Sequence, residues 1–154
     1  MNKLFLIITF FFVTGNVFAG EFLGLSKVID GDTIYINYQK FRLEGIDAPE
    51  IRQLCEKKKK EYFCGRESKN KLITKIGTSI VRCVSSGKDK YKRHLATCFI
   101  RDVNLNKWMV RQGYAVAYKR YSKKYIDDED FAKKNKLGIW SGTFMPPEKW
   151  RKLN

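Results

Sequence analysis

Residues 25–50 read LSKVIDGDTIYINYQKFRLEGIDAPE, and the alternation within that stretch decides the fold. Alternating and β-branched runs dominate 25–29, 33–37 and 41–46, and the runs are parted by Asp30-Gly31-Asp32 and Tyr38-Gln39-Lys40. Period-two runs bounded by turn residues predict a three-stranded antiparallel meander. Beyond it the period lengthens: over 64–76, Leu72, Ile73 and Ile76 share one helical face, and Gly77 stands where a helix would stop. Strand character returns over 79–84 and 93–100, on either side of a turn rich in Ser, Gly and Lys at 85–92. A second helix is expected from the cap Asn104, burying Leu105, Trp108 and Met109 and ending at Gly113. A third is expected to begin in the acidic stretch 127–130, whose charges suit a helix N-terminus, and to run to about residue 136.

Five strands, a helix between the third and fourth, and two C-terminal helices make a β-rich α+β class. That is the element order of the OB-fold barrel, whose open face commonly takes nucleic acid. Upstream, residues 1–19 have the make-up of an export signal: Lys3, an apolar run over 4–13, then Val17-Phe18-Ala19 for cleavage after Ala19. Thr14, Gly15 and Asn16 interrupt the run short of the roughly 20 apolar residues a membrane span needs. A mature protein starting near Gly20 is therefore expected, secreted or periplasmic, with no stable membrane association, and no cysteine follows the cut to take a lipid anchor. Residues 20–154 suffice for one domain, expected to be a monomer.

The chain holds 31 Lys and Arg against 16 Asp and Glu, a net charge of +15, of which the signal removes only Lys3. Such an excess implies an anionic partner, because a cation placed on a phosphate releases a condensed counterion. Charge alone does not separate nucleic acid from heparin-like glycans or an anionic membrane. Four cysteines, Cys55, Cys64, Cys83 and Cys98, in an exported chain suggest two disulfides with three possible pairings. The favoured pairing is Cys55 with Cys64, closing a basic loop, and Cys83 with Cys98, joining neighbouring strands; each contributes about 3 kcal/mol in a chain-entropy account. A zinc site is disfavoured by the lack of CxxC spacing and by a single histidine, His94.

Breaking a phosphodiester takes a base for water, something to polarise phosphorus, and donors for charge growing on the equatorial oxygens. One histidine rules out proton exchange between two imidazoles, so the burden falls on carboxylates, arginines and a hard cation. Two segments concentrate these groups: Asp30-Gly31-Asp32-Thr33 at a hairpin tip, and the strand-to-turn run from Arg42 through Glu44, Asp47 and Pro49 to Glu50. Their donors are all oxygen, which suits Ca²⁺ or Mg²⁺. Singly, each has an ordinary explanation, since Asp-Gly is a common hairpin turn and Asp-x-Pro-Glu a common strand ending.

Together with Asp89-Lys90-Tyr91-Lys92-Arg93 and the closing Gly138-Ile139-Trp140, they carry a resemblance. Over about 25–142 the chain resembles the thermonuclease family of secreted, micrococcal-type nucleases, whose motifs IDGDT, FRL with DxPE, and DKYxR occur here in order. The resemblance implies an OB-fold nuclease that hydrolyses DNA and RNA with Ca²⁺, Mg²⁺ being the lesser candidate, and leaves 3′-phosphate ends. Carried over, Asp32 and Asp47 match the calcium-ligating carboxylates, and Ala48 matches a residue that binds through its backbone carbonyl. Glu50 matches the general base, and Arg42 and Arg93 match the pair that grips phosphate with planar forks. Lys90, Tyr91 and Tyr118 match contacts to a neighbouring phosphate and the nucleotide, while Asp30 is expected to shape the turn.

Two departures matter. Glu44-Gly45 replaces aliphatic residues, and strict alternation from Arg42 to Asp47 would aim those side chains at opposite faces, so a bulge near Gly45 is required. Lys92 stands where relatives have glycine. Lys57–60 reads as a solvated loop, the three tryptophans as packing residues, and the tyrosines over 114–125, interleaved with Lys and Arg, fit a single-strand groove or surface packing equally well. The main rival is a catalytically silent OB-type binding module, which would have no need of Glu50. A cationic glycan-binding protein would show heparin affinity and no cutting.

Overall fold

The computed structural model describes residues 20–154, so the expected export signal over 1–19 lies outside the described residues. The chain opens with β1 (Gly20–Gly24), β2 (Ser26–Asp30), β3 (Thr33–Ile36), β4 (Gln39–Leu43) and β5 (Ile46–Asp47), followed by a hairpin of β6 (Leu54–Lys57) and β7 (Lys60–Phe63). Then come α1 (Cys64–Ile76), β8 (Val81–Lys88), β9 (His94–Ile100) and β10 (Val103–Asn104). The remainder is α2 (Leu105–Arg111), β11 (Val116–Ala117), α3 (Ile126–Lys134), a 3-10 turn (Gly138–Ser141) and α4 (Pro147–Leu153).

The main sheet runs β1-β8-β9-β4-β3-β2, with β10 beside β9. Only Leu25 separates β1 from β2, so the two ends of this path are halves of one bent strand and the sheet curls on itself. β4 pairs with β9 in parallel and the other neighbours are antiparallel. This α+β arrangement is the expected OB-like fold, with α1 standing between the third and fourth long strands. Inward residues of the meander, Ile34, Ile36, Phe41 and Leu43, meet Val81, Ala96 and the Cys83–Cys98 disulfide under Leu72 and Ile76 of α1. Burial of such side chains stabilises by roughly 1.5–3 kcal/mol each. The second disulfide ties β6 to the first residue of α1 through Cys55 and Cys64.

Local signals place most boundaries. α1 ends at Gly77, whose φ of +54° lets its N–H reach the Ile73 carbonyl at 2.9 Å. The side chain of Asn104 caps α2 by accepting from the Lys107 amide at 2.9 Å. Four features depart from expectation. Ile73 is 44% exposed instead of sharing the buried face with Leu72 and Ile76. The third strand stops at Leu43, because Glu44-Gly45 makes a turn with Gly45 at φ +78°. Lys57–60 is a hairpin tip, not an irregular loop, with Lys58 and Lys59 both at positive φ. Finally, α4 follows the two expected C-terminal helices; Pro147 opens it and Arg151 and Lys152 close it. No helix among the described residues is long and apolar enough to cross a membrane.

Candidate active site

The turn joining β2 to β3 is held by Asp30, whose Oδ1 accepts from the Asp32 amide at 3.0 Å. It presses against α1: a Cβ on Gly31 would stand 2.0 Å from Ser68 Oγ and 2.6 Å from Ala48 Cβ, so only glycine fits. Asp32 is thereby buried and pinned. Its carbonyl accepts from the Leu43 amide at 2.8 Å, its Oδ2 from the Ala48 amide at 2.9 Å, and its Oδ1 from the Thr33 hydroxyl at 3.1 Å.

β4 brings Arg42 to the same place. Its Nη1 forms an ion pair with Asp32 Oδ1, and its Nη2 donates to Asp47 Oδ1 at 3.1 Å and to the Ile46 carbonyl at 3.2 Å. The turn at Gly45 makes this possible, because it reverses the alternation that would have parted Arg42 from Asp47. The turn is itself secured, since the Gly45 carbonyl accepts from the Tyr118 amide at 2.9 Å and the Glu44 carbonyl from Asn106 Nδ2 at 2.9 Å. β5 then pairs with β11, setting Asp47 opposite Val116.

Glu50 follows on a clamped backbone. Its amide donates to Gln53 Oε1 at 3.2 Å, while Gln53 Nε2 donates to the Met145 carbonyl at 2.6 Å. α1 comes so close that a Cβ on Gly65 would lie 1.8 Å from the Glu50 carbonyl oxygen. The Glu50 side chain is free of that clamp and 34% exposed. Its partner is Arg151 of α4, whose Nη1 lies 2.9 Å from Glu50 Oε1 and 2.9 Å from Asp47 Oδ1, and whose Nη2 lies 3.0 Å from Asp47 Oδ2.

These contacts set the charges. Burial works to raise the Asp32 pKa, but the charge of Arg42 and the Ala48 amide outweigh it and hold the carboxyl below the ordinary range. Asp47 goes the other way: burial, joined by the negative charge of Asp32, keeps it above the ordinary value in spite of the Arg151 hydrogen bond. Asp30 is pushed up to about 6 by burial and by Asp32. Burial also works to lower Arg42, and the charge of Asp32 more than reverses it, so the guanidinium stays protonated.

Of the residues singled out in the sequence, Asp32, Arg42, Asp47, Ala48 and Glu50 converge. Ala48 joins them through its amide, which donates to Asp32. Tyr118 borders the group, its ring 6.0 Å from the Arg42 guanidinium and edge-on to Tyr121 at 4.7 Å. Arg93, Lys90 and Tyr91 form a separate cluster. Asp89 accepts from the amides of Tyr91 and Arg93 at 2.9 and 3.0 Å and pairs with the Arg93 guanidinium at 2.8 Å. Lys90 Nζ lies 5.0 Å over the Tyr91 ring, which is 68% exposed. Arg93 makes no ion pair with Asp32, Asp47 or Glu50, yet register puts the clusters on one face. Arg42 lies beside Leu95 across the β4–β9 pairing, and residue 93 shares the face of residue 95. Sequence reading missed Arg151 and Gln53. Pro147 with Glu148 signals the helix that carries Arg151, but nothing local points to its partners.

Among the described residues no group of three or more His, Cys, Asp or Glu side chains stands ready to hold a metal. The fit of a hard cation rests on fewer side chains, two buried carboxylates aimed at one guanidinium with the Ile46 carbonyl alongside, an all-oxygen donor set. Asp32 and Asp47 are the residues that could hold it.

The family model described as Staphylococcal nuclease homologue matches residues 40–142. The chain is 37% identical over 126 residues to the Succinoglycan biosynthesis protein ExoI of Rhizobium meliloti, covering 79% of this chain and 66% of that protein. It is 35% identical over 134 residues to an uncharacterized endonuclease of Haemophilus influenzae, covering 82% of this chain and 70% of that one. With the Micrococcal nuclease of Shigella flexneri it shares 29% identity over 155 residues, covering 89% and 82% of the two chains. The chain thus spans about two thirds of the length of the first two of these relatives.

Proposed function

Since this chain belongs to the staphylococcal nuclease family, we propose that it is a nuclease that hydrolyses the phosphodiester bonds of DNA and RNA with the help of bound Ca²⁺. The observation that carries the reading is the bridge of Arg42 between Asp32 and Asp47, with Glu50 one guanidinium away. Relatives named endonuclease and micrococcal nuclease support the same substrate class.

Asp32, Asp47 and the carbonyl of Ala48 would hold the cation. A bound hard cation supplies Lewis acidity at phosphorus and offsets the charge gathering on the phosphate oxygens. Glu50, solvent-facing on a fixed backbone, takes a proton from water as the water oxygen attacks phosphorus in line. The bond from phosphorus to the 5′ oxygen breaks, leaving a 3′-phosphate. Arg42 on β4 and Arg93 just ahead of β9 donate to the equatorial oxygens; in Arg42 the Nε–H and one Nη1–H have no partner among the described residues. Lys90, Tyr91 and Tyr118 contact the neighbouring phosphate and the nucleotide. These groups address phosphate and ring faces, so little base preference follows. The protein acts as a secreted or periplasmic monomer; two disulfides suit such an oxidising compartment.

The test is Glu50→Gln on single-stranded DNA. Turnover is expected to fall at least about 100-fold, the scale of general-base loss, with oligonucleotide binding largely kept. Unchanged turnover would take Glu50 out of the mechanism.

A further inference from the structure

Arg151 has no role in the reaction above, yet it holds two of the groups that carry it. Its fork spans both oxygens of Asp47, at 2.9 and 3.0 Å, and reaches Glu50 at 2.9 Å. Asp47 has a side chain 1% exposed and also accepts from Arg42. A carboxylate offers about four acceptor positions. Arg42 and Arg151 between them fill three on Asp47, and the guanidiniums flank it on both sides.

The arginine comes from outside the body of the domain. α4 is seven residues long and lies beyond the 40–142 segment that matches the family. The segment before it is fastened: Thr143 pairs with Glu56 through two backbone hydrogen bonds of 2.9 Å, and Met145 accepts from Gln53. The helix itself is held by weaker means, since its other cross-chain ion pair, Glu148 with Arg120 at 2.9 Å, is exposed. A short helix on a fixed hinge can swing without disturbing the core.

We infer that Arg151 is a resident counter-cation, and that α4 is a latch which a divalent cation must displace from Asp47. The inference rests on the reading of Asp47 as a cation ligand. Without a cation, the charge of the buried Asp47 and of Glu50 is met by the one Arg151 guanidinium, which pairs with both. A divalent cation needs the same oxygens and would stand within a few ångströms of the guanidinium, beside a buried carboxylate and closer than dissolved salt can screen. Occupancy by one therefore weakens the other, and the coupling is reciprocal: freeing Asp47 from Arg151 tightens cation binding, and the cation loosens α4. The latch keeps the carboxylates neutralised until the ion arrives and sets the ion concentration at which the site opens.

Isothermal titration of the purified, disulfide-bonded protein with Ca²⁺, without nucleic acid, tests this. Arg151→Ala is expected to bind Ca²⁺ at least about 10-fold more tightly than the unmodified protein. Lys149→Ala removes the same charge from the same helix, among Thr143, Met145 and Glu61, and is expected to stay within about 2-fold. In the unmodified protein, the NMR signal of the Arg151 Nε–H, identified by its loss in Arg151→Lys, should shift and exchange faster with solvent as Ca²⁺ saturates. That signal needs no destabilising substitution. Equal or weaker binding by Arg151→Ala, an equal gain in Lys149→Ala, or an unmoved Arg151 signal at saturation overturns the latch and leaves the cation site standing. Absence of Ca²⁺ binding in every folded variant overturns both.

Discussion

Arg42, on β4, and Arg93, in the turn that leads into the neighbouring β9, are built into the molecule differently. Arg42 is 13% exposed and bridges two buried carboxylates, Asp32 in the β2–β3 turn and Asp47 in β5. Arg93 is 22% exposed and pairs only with Asp89, four residues away in its own turn. One closes the structure around itself, and the other is oriented by its own loop. The difference teaches where fold and function can be separated. Losing Arg42 strands buried charge, whereas losing Arg93 leaves Asp89 on a surface turn with two backbone amides still donating to it.

The comparison breaks most visibly at Arg42→Ala, which is expected to cost about 3–5 kcal/mol of stability, the scale for removing one partner of a buried ion pair. Chemical denaturation reads the loss, and a cost near zero would mean that the bridge is not part of the fold. Arg93→Ala should instead leave stability within about 1 kcal/mol. Its turnover on single-stranded DNA should fall about 100-fold or more, as for a lost transition-state donor. A variant that unfolds as readily as Arg42→Ala would erase the distinction.

A third substitution sharpens it by loosening the buried side from a distance. Glu129 of α3 accepts from the Ala117 amide at 3.2 Å and pairs with Lys119 at 2.5 Å and Lys133 at 2.6 Å, which fixes β11 and through it β5 and Asp47. Burial acts to raise its pKa, but the hydrogen bonds from Lys119 and Lys133 prevail and hold it below the ordinary glutamate value of 4.5. With the folded pKa depressed, its contribution is present above 4.5 and lost as pH falls through the folded value. Glu129→Gln should cost about 1–2 kcal/mol at neutral pH, and the difference from the parent should shrink on acidification below that value. A pH-independent difference would contradict the assignment.

The smallest effect belongs to the Arg93 side. Lys92 adopts φ +63° where the family pattern has glycine, a left-handed conformation that disfavours a side chain. Lys92→Gly is expected to stabilise by up to about 1 kcal/mol, measured by thermal unfolding, without loss of cleavage. A lowered midpoint would show that the lysine side chain contributes more than its backbone strain costs.

What could be read from the sequence divides along the same line between local and distant cause. The meander, α1 and the Asn104 cap were legible because alternation, Gly77 and a capping side chain act within a few residues. The Asp-Gly-Asp turn and the Arg42–Glu50 run each have an ordinary structural reading, and they pointed to a site only through the family resemblance that their joint occurrence carries. The β6–β7 hairpin was not, since its strands bury only Cys55 and part of Tyr62 and its tip is Lys58-Lys59 rather than the usual Asn-Gly. β1 falls between the expected leader, which ends at residue 19, and the first expected strand at 25, so neither reading included it. Ile73 shows that helical spacing alone does not fix how wide the buried stripe is. Arg151 was beyond reach: one of 31 basic residues, it meets a carboxylate 104 positions away.

Cleavage of single-stranded DNA by the purified, oxidised protein in Ca²⁺ and in EGTA tests the whole account most directly. It predicts cutting in Ca²⁺ that stops in EGTA and returns with excess Ca²⁺, leaving ends that carry a 3′-phosphate. No cutting in Ca²⁺, or cutting that persists in EGTA, would contradict it.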